Sequence, residues 1–361
     1  MFSFCSDPAA IMTVKKSSWP QYVARFSRSA RRQGYDDDYI AACLDYAQRL
    51  NIAGLPIIFD QQHFSLLAGY SLEYILGASN SPRDYYRKFE IPKKSGGNRT
   101  IFEPLPSLKE IQRWNLDEIL SNIPINAASK AYEKGKSIKD NARFHVNRES
   151  VLSMDIKDFF PSISPGRVHH IFRSAGYSKA VATLLTALCS YGKSIPQGAP
   201  TSPYISNIIC QPIDIRLFGF AKNNDLRYTR YADDMTFSGV LNAESIINFT
   251  RRVLSENRFS LNDKKTRLMH KNKRQHVTGV VVNEKTQVPI EIRKRLRQEI
   301  YYIEKFGLDE HLLWTKNLRA NHLEHLMGFA NHILHINPKD LEADRSLKFL
   351  REIRKKLRDS E

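Results

Sequence analysis

The 361 residues carry 42% hydrophobic and 26% charged side chains, the balance of a folded globular chain with room for about two or three packed subdomains. No apolar run reaches the length of a membrane span, residues 1–20 lack the basic-then-apolar pattern of a secretory signal, and four scattered cysteines (Cys5, Cys43, Cys189, Cys210) give neither a disulfide framework nor a paired-cysteine zinc site. Lysine and arginine number 55 against 38 acids, a net charge of +17, which points to a polyanionic partner, nucleic acid first; an anionic membrane would favour one long basic amphipathic helix, whereas these cations are spread along the chain.

Residues 1 to about 60 read as helical and fairly polar. Tyr39 to Leu50 places Ile40, Leu44 and Ala47 on one helical face, and Asp36, Asp37 and Asp38 suit the positive end of that helix. Residues 85–104 read as a strand, a Ser95-Gly96-Gly97-Asn98 turn and a second strand, a hairpin with Lys93, Lys94 and Arg99 around its turn. A helix over 106–124 follows. Gly135-Lys136-Ser137 and Gly192-Lys193-Ser194 are not P-loops, because the glycine required five residues earlier is Lys130 in one case and Ala187 in the other.

Val151 to Ile156 is an apolar strand with Asp155 near its end. Ser164 and Pro165 start a helix that ends near Gly176, and Ser178 starts another that stops at Gly192. The breaker-rich loop Pro196-Gln197-Gly198-Ala199-Pro200-Thr201-Ser202-Pro203 leads into a helix of about four turns carrying Tyr204, Ile208, Ile209 and Ile213. Ser245 to Asn257 is helical, Leu261 to Met269 extended, and 276–290 a hairpin turning at 283–286. From about 291 the chain is helical and basic. Ile292, Leu296, Ile300 and Ile303 mark one face, with Arg293, Lys294, Arg295 and Arg297 off it. The last helix, about 340–358, sets Leu350, Ile353 and Leu357 against Arg351, Arg354, Lys355, Lys356 and Arg358. His322, His325, His332 and His335 share one helix, but their angular spread is too wide for one ion.

The stretch Arg227 to Ser238 alternates aromatic or β-branched residues with polar ones, and Asp233-Asp234 falls where its two strands turn. Tight hairpins prefer Asn-Gly or Asp-Gly there. Two carboxylates about 4 Å apart repel by about 4 kcal/mol at an effective dielectric near 20, a cost that a cation removes. A small antiparallel sheet covered by helices can bring Asp155 to the same edge, and three hard carboxylates suit Mg²⁺.

These stretches resemble reverse transcriptases over roughly residues 65–335. Met154-Asp155-Ile156-Lys157-Asp158-Phe159-Phe160 is similar to the first palm motif, and Pro196 to Pro203 with Ser206-Asn207 to the second. Tyr231-Ala232-Asp233-Asp234 matches the third, and Leu261-Asn262-Asp263-Lys264-Lys265-Thr266 the fourth. Asn141-Ala142-Arg143-Phe144-His145 and Val277-Thr278-Gly279 resemble patterns of the bacterial retron enzymes, as does Leu326-Met327-Gly328-Phe329 with Asn337-Pro338, at the close of the thumb.

The resemblance implies an α+β right-hand polymerase: a helical extension over 1–62, fingers and palm over 63–290, and a basic helical thumb and RNA-binding region over 291–361. It implies two Mg²⁺ ions on Asp155, Asp233 and Asp234, with Lys265 (Lys264 its rival) protonating the leaving pyrophosphate. Phe160 would be the steric gate favouring dNTPs, Gln197 would line the nucleotide pocket, and Lys93 and Arg99 would hold the triphosphate. Asn141, His145, Val277, Thr278 and Gly279 would contact RNA. The implied reaction copies a cognate structured noncoding RNA into DNA from a guanosine 2′-hydroxyl. Its product is branched RNA–DNA (msDNA), made in the cytoplasm and tied to anti-phage defence through a separately encoded effector. Two alternatives stay open: a group II intron-like enzyme, for whose extra C-terminal region no room is expected, and a catalytically silent RNA-binding relative.

Overall fold

The computed structural model describes residues 18–93, 96–316, 319 and 321–359; Cys5, Lys94 and nearly all of the stretch read for a secretory signal lie outside them. In chain order the elements are α1 (Trp19–Arg32), α2 (Asp37–Ile52), α3 (Gln61–Ala68), α4 (Leu72–Asn80), β1 (Tyr86–Pro92), β2 (Asn98–Pro104), α5 (Pro106–Glu118), α6 (Ile138–Arg143), β3 (Ser150–Asp155), α7 (Pro165–Ser174), α8 (Lys179–Cys189), α9 (Ser202–Asn223), β4 (Arg227–Tyr231), β5 (Asp234–Gly239), α10 (Ala243–Glu256), β6 (Arg267–His270), β7 (His276–Val277), β8 (Val280–Val281), α11 (Ile290–Phe306), α12 (Leu308–Trp314), α13 (His322–Ile336) and α14 (Leu341–Asp359). They fall into two units: residues 1–127, 157–215 and 255–259 form the first, and 128–156, 216–254 and 260–361 the second.

In the first unit, α2 begins as its acids dictate. The Asp36 carboxylate accepts from the Tyr39 amide at 2.7 Å, and Asp37 and Asp38 occupy the first turn. Its buried face is Ile40, Cys43, Tyr46, Ala47 and Leu50, with Leu44 at the margin. An aromatic column runs from Trp19 through Tyr22 and Phe26 to Phe59. Tyr177 donates to the Pro56 carbonyl at 3.0 Å, so the N-terminal helices are packed into this unit. β1 and β2 form the expected antiparallel hairpin, with Ile91 opposite Arg99. Ser164 holds the first cap position of α7 with extended backbone, but its hydroxyl makes no cap bond there; Pro165 alone sets the start.

The second unit is organised on a four-stranded antiparallel sheet of order β4-β5-β3-β6. β3 and β5 are central and almost continuously buried, as strands covered on both sides must be. A further apolar core joins Val277, Val280 and Val282 to Leu296 and Ile300 of α11, Ile333 of α13 and Leu350 of α14. Arg293 pairs with the buried Asp340 at 3.1 Å, and Arg297 pairs with Glu342, so part of the basic C-terminal charge is spent holding α11 to α14.

Several boundaries differ from the sequence reading: the helix expected over 106–124 ends at Glu118, with a 3₁₀ turn at Leu120–Asn122, and the one expected to stop at Gly192 ends at Cys189. α9 runs 22 residues, through Pro212, because Ile213, Leu217 and Ala221 bury a stripe at four-residue spacing beyond the proline. Residues 263–265 form a 3₁₀ turn inside the stretch read as extended; β6 follows it. The 276–290 hairpin first turns at Thr278-Gly279, both at positive φ (47° and 82°) as a type I′ turn requires, and a second antiparallel bridge pairs Val281 with Gln287.

Candidate active site

Asp155 and Asp234 are directly opposed across β3 and β5. Tyr231 pairs with Asp234 across β4 and β5, so the two-residue turn is Ala232-Asp233, not Asp233-Asp234, and Asp234 opens the next strand. The positive φ that such a turn demands falls on Ala232, at 58°. A non-glycine residue there costs about 1–2 kcal/mol. Fully buried Arg230 donates from Nη1 to the Ala232 carbonyl at 2.9 Å and fixes the turn. The Ile156 amide donates to the Asp233 carbonyl at 3.0 Å, which ties the turn to the end of β3. All three carboxylates therefore meet at one end of one sheet.

Their electrostatics are unfavourable by themselves. Like charges directly opposite across strands repel. Burial, then Asp233 and Asp155, push the Asp234 carboxyl up to about 7. Burial, then Asp155, raise Asp233 as well. Asp155, 4% exposed, has both oxygens engaged: Asn262 Nδ2 donates to Oδ1 at 3.0 Å and Lys265 Nζ to Oδ2 at 2.7 Å. Burial works against the Lys265 ammonium, yet its bond to Asp155 and the nearby aspartates hold it above the ordinary lysine value. Lys265 makes this pair because the 3₁₀ turn 263–265 points it back at β3, where the Asn262 amide also donates to the Asp155 carbonyl at 2.8 Å. Three carboxylates and one ammonium leave a deficit of positive charge among hard oxygen donors, a set that fits Mg²⁺.

The residues expected to bind nucleotide lie in the first unit. Lys93 and Arg99 are exposed on the hairpin. The Gln197 carbonyl accepts from the Phe102 amide of β2 at 2.8 Å, and Gly198, at φ 118°, closes on the same strand. A Cβ on Gly198 would lie 2.8 Å from Ile101 Cγ2 and 2.9 Å from the Phe102 carbonyl oxygen, so only glycine fits. Thus Gln197 and the basic hairpin are held together. Phe159 is core, packed near Phe259, whereas Phe160 is only partly buried and can present its ring.

Comparison with known proteins decides the family. The profile described as "Reverse transcriptase (RNA-dependent DNA polymerase)" matches residues 91–282. Retron Ec86 reverse transcriptase of Escherichia coli is 32% identical over 296 residues, 81% of this chain and 89% of that protein. The chain belongs to the retron reverse transcriptases. Retron Mx65 reverse transcriptase of Myxococcus xanthus is 33% identical over 313 residues, 80% of this chain and 71% of its own length. Among solved structures, telomerase from Candida albicans in complex with a fragment of telomeric RNA aligns at TM-score 0.42 and 11% identity, covering 74% of this chain and 63% of that one. Membership of the reverse transcriptase family makes the four-stranded sheet the palm of a right-hand polymerase, and the family activity is RNA-directed DNA synthesis.

The retron-type stretches behave otherwise than expected. Asn141, His145 and Val277 are 1%, 0% and 2% exposed, so their side chains are enclosed by protein in this structure. His145 is bonded through Nδ1 to the Ser238 hydroxyl and through Nε2 to the Thr229 hydroxyl, both at 2.7 Å. Thr229 donates to Asn141 Oδ1 at 2.6 Å, and Asn141 Nδ2 reaches Thr278 Oγ1 at 3.4 Å. Burial, then Arg227 and Arg148, push the His145 imidazole down to about 3, so it is neutral at every working pH. Together Asn141, His145 and Thr278 brace the palm strands. Thr278 and Gly279 alone reach the surface.

Two residues that position the aspartates escaped the sequence reading. Asn262 was within a recognised motif but had no role, and Arg230 reads as one more cation in a basic chain. Asn262 had a usable signal, a side-chain amide three residues before the motif lysine. Arg230 had none, because nothing in a strand pattern marks an arginine as fully buried.

Proposed function

We propose that this reverse transcriptase copies part of a cognate structured noncoding RNA into DNA, starting from a guanosine 2′-hydroxyl and giving branched RNA–DNA. The observation that carries the reading is the pairing of Asp155 with Asp234 at the sheet end, with Lys265 on Asp155, in a chain that aligns with retron enzymes over most of its length. Asp155, Asp233 and Asp234 would hold two Mg²⁺ ions. Bound there, the ions would activate the attacking hydroxyl and stabilise the departing phosphate oxygens. Lys265 donates a proton to the leaving pyrophosphate. Phe160 blocks a ribose 2′-hydroxyl, Gln197 lines the nucleotide pocket, and Lys93 and Arg99 grip the triphosphate.

Arg351, Lys355 and Arg358 on α14, with Thr278 and Gly279, form the RNA-facing set, reading shape and phosphates rather than a long base sequence. Residues 1–62 serve as an N-terminal extension, 63–290 as fingers and palm, and 291–361 as thumb. Among the described residues no helix is long and apolar enough to cross a membrane, in keeping with work in the cytoplasm, and anti-phage defence would run through a separate effector.

The test is to isolate the protein with its associated nucleic acid from cells that encode it. A branched species with a 2′–5′ junction at a guanosine, absent in Asp233→Ala, is the expected result. Linear cellular RNA alone, or equal DNA synthesis by Asp233→Ala, overturns the reading.

A further inference from the structure

A histidine cluster in the second unit is used by nothing described so far. Glu299 on α11, His311 on α12 and His322 on α13 each aim one donor atom at a common point, and these atoms all lie within 4.8 Å of one another. His311 Nε2 is 2.8 Å from Glu299 Oε2, and His322 Nε2 is 3.3 Å from the same oxygen. The two imidazoles are 3% and 4% exposed, while the carboxylate is 20% exposed and open to water. His325, His332 and His335 take no part: His325 faces Arg319 and Phe329, as a helix with that angular spread predicts.

From this convergence we infer that Glu299, His311 and His322 form a binding site for a divalent transition-metal ion of the zinc class, distinct from the magnesium site of the palm. Two imidazole nitrogens and one carboxylate oxygen, with water as fourth ligand, are a donor set that zinc accepts and magnesium does not favour. Tetrahedral ligation at about 2.0–2.2 Å puts ligand atoms about 3.3 Å apart. The two carboxylate–imidazole separations, 2.8 and 3.3 Å, lie within half an ångström of that spacing, and the two imidazole donors are within 4.8 Å of each other, so side-chain adjustments bring all three into register. The present hydrogen-bonded cluster is the metal-free form of the same site: on loading, each imidazole takes the Nδ1–H tautomer and offers the Nε2 lone pair to the ion, and any second ring proton is released to solvent.

The fold gives the site a task. His311 is the one fully buried residue of the seven-residue α12, whose Leu313 and Trp314 are 79% and 75% exposed. Leu308 packs at the edge of the core and Tyr302 of α11 lies against His311 and Trp314, and the cluster adds a polar link from α12 to both α11 and α13. A bound ion would brace the three helices against one another.

The experiment uses the full-length protein carrying Asp233→Ala and Asp234→Ala, so that the palm cannot take up the metal. After chelation and dialysis, one equivalent of Zn²⁺ is expected to remain bound against millimolar Mg²⁺. Zinc is expected to raise the melting midpoint by about 5 °C, and Co²⁺ to give the visible absorption of a four-coordinate site. His311→Gln with His322→Gln, or Glu299→Gln, abolishes uptake and shift; His325→Gln with His332→Gln keeps both. Failure of the parent protein to retain zinc overturns the proposal without reference to any histidine variant, as does undiminished uptake by the His311→Gln, His322→Gln protein.

Discussion

Two polar clusters of the palm, built on the same strands, are opposites. Around His145 the bonded side chains pair with one another and the imidazole is neutral; around Asp155, Asp233 and Asp234 three carboxylates face a single ammonium, Lys265, and two carboxyls are pushed upward. Satisfied polar networks specify a fold, and unsatisfied ones mark where a ligand completes it. Both clusters come from stretches that resemble reverse transcriptase motifs, so motif membership alone does not separate support from chemistry. The state of pairing does.

The largest break in the contrast is Asp233→Ala. It removes a carboxylate whose charged form burial and Asp155 disfavour, so DNA synthesis in primer extension should fall by at least about 10³-fold while the melting midpoint holds or rises. A loss of folding in parallel would place Asp233 with the supporting cluster instead. Next is Lys265→Ala, expected to lower the rate of nucleotide addition by about 10²–10⁴-fold if it is the proton donor. Lys264→Ala, whose side chain is exposed and makes no pair with Asp155, should stay within about threefold of wild type. Equal losses for the two lysines would contradict the geometry that singles out Lys265.

His145→Ala tests the other cluster. It leaves the Ser238 and Thr229 hydroxyls buried without their shared partner, a cost of about 2–4 kcal/mol in denaturant unfolding. Per folded molecule, DNA synthesis and RNA affinity should change little. A specific loss of RNA binding in a fully stable His145→Ala protein would restore the expectation that this histidine contacts RNA.

The same contrast explains what the sequence disclosed. The aspartates and Lys265 were legible because their chemistry forces a pattern: a doubled acid in a strand turn and a lysine in a short polar motif. The fold class, the 86–104 hairpin and the α2 start were legible because alternation, glycine turns and acid-rich caps are local effects. The burial of Asn141 and His145 was not, since a polar residue buried by partners about ninety positions away carries no local mark. Nor was Ala232, where a strained φ is paid for by a buried arginine outside the turn. The 3₁₀ turn that aims Lys265 was hidden for the same reason: its conformation answers to Asp155, over a hundred residues earlier.

The smallest expected effect sharpens the comparison most, because its sign is unusual. In the metal-free protein Asp234 holds its proton to about pH 7, whereas in the unfolded chain it releases it near the ordinary value of 3.8. Between those values the folded state binds more protons, so this group makes stability fall as pH rises, and the loss is complete above about pH 7. Asp234→Asn cannot ionise and escapes that loss. With chelator present, it should unfold at higher denaturant than wild type at pH 8, by about 1–3 kcal/mol, and match wild type near pH 4. Millimolar Mg²⁺ at pH 8 should then stabilise wild type and close the gap, because a cation offsets the repulsion that the substitution removes. Asp234→Asn that is less stable than wild type at pH 8 in chelator would mean that the carboxylate is a paired structural group, and the palm aspartates would no longer differ in kind from the network around His145.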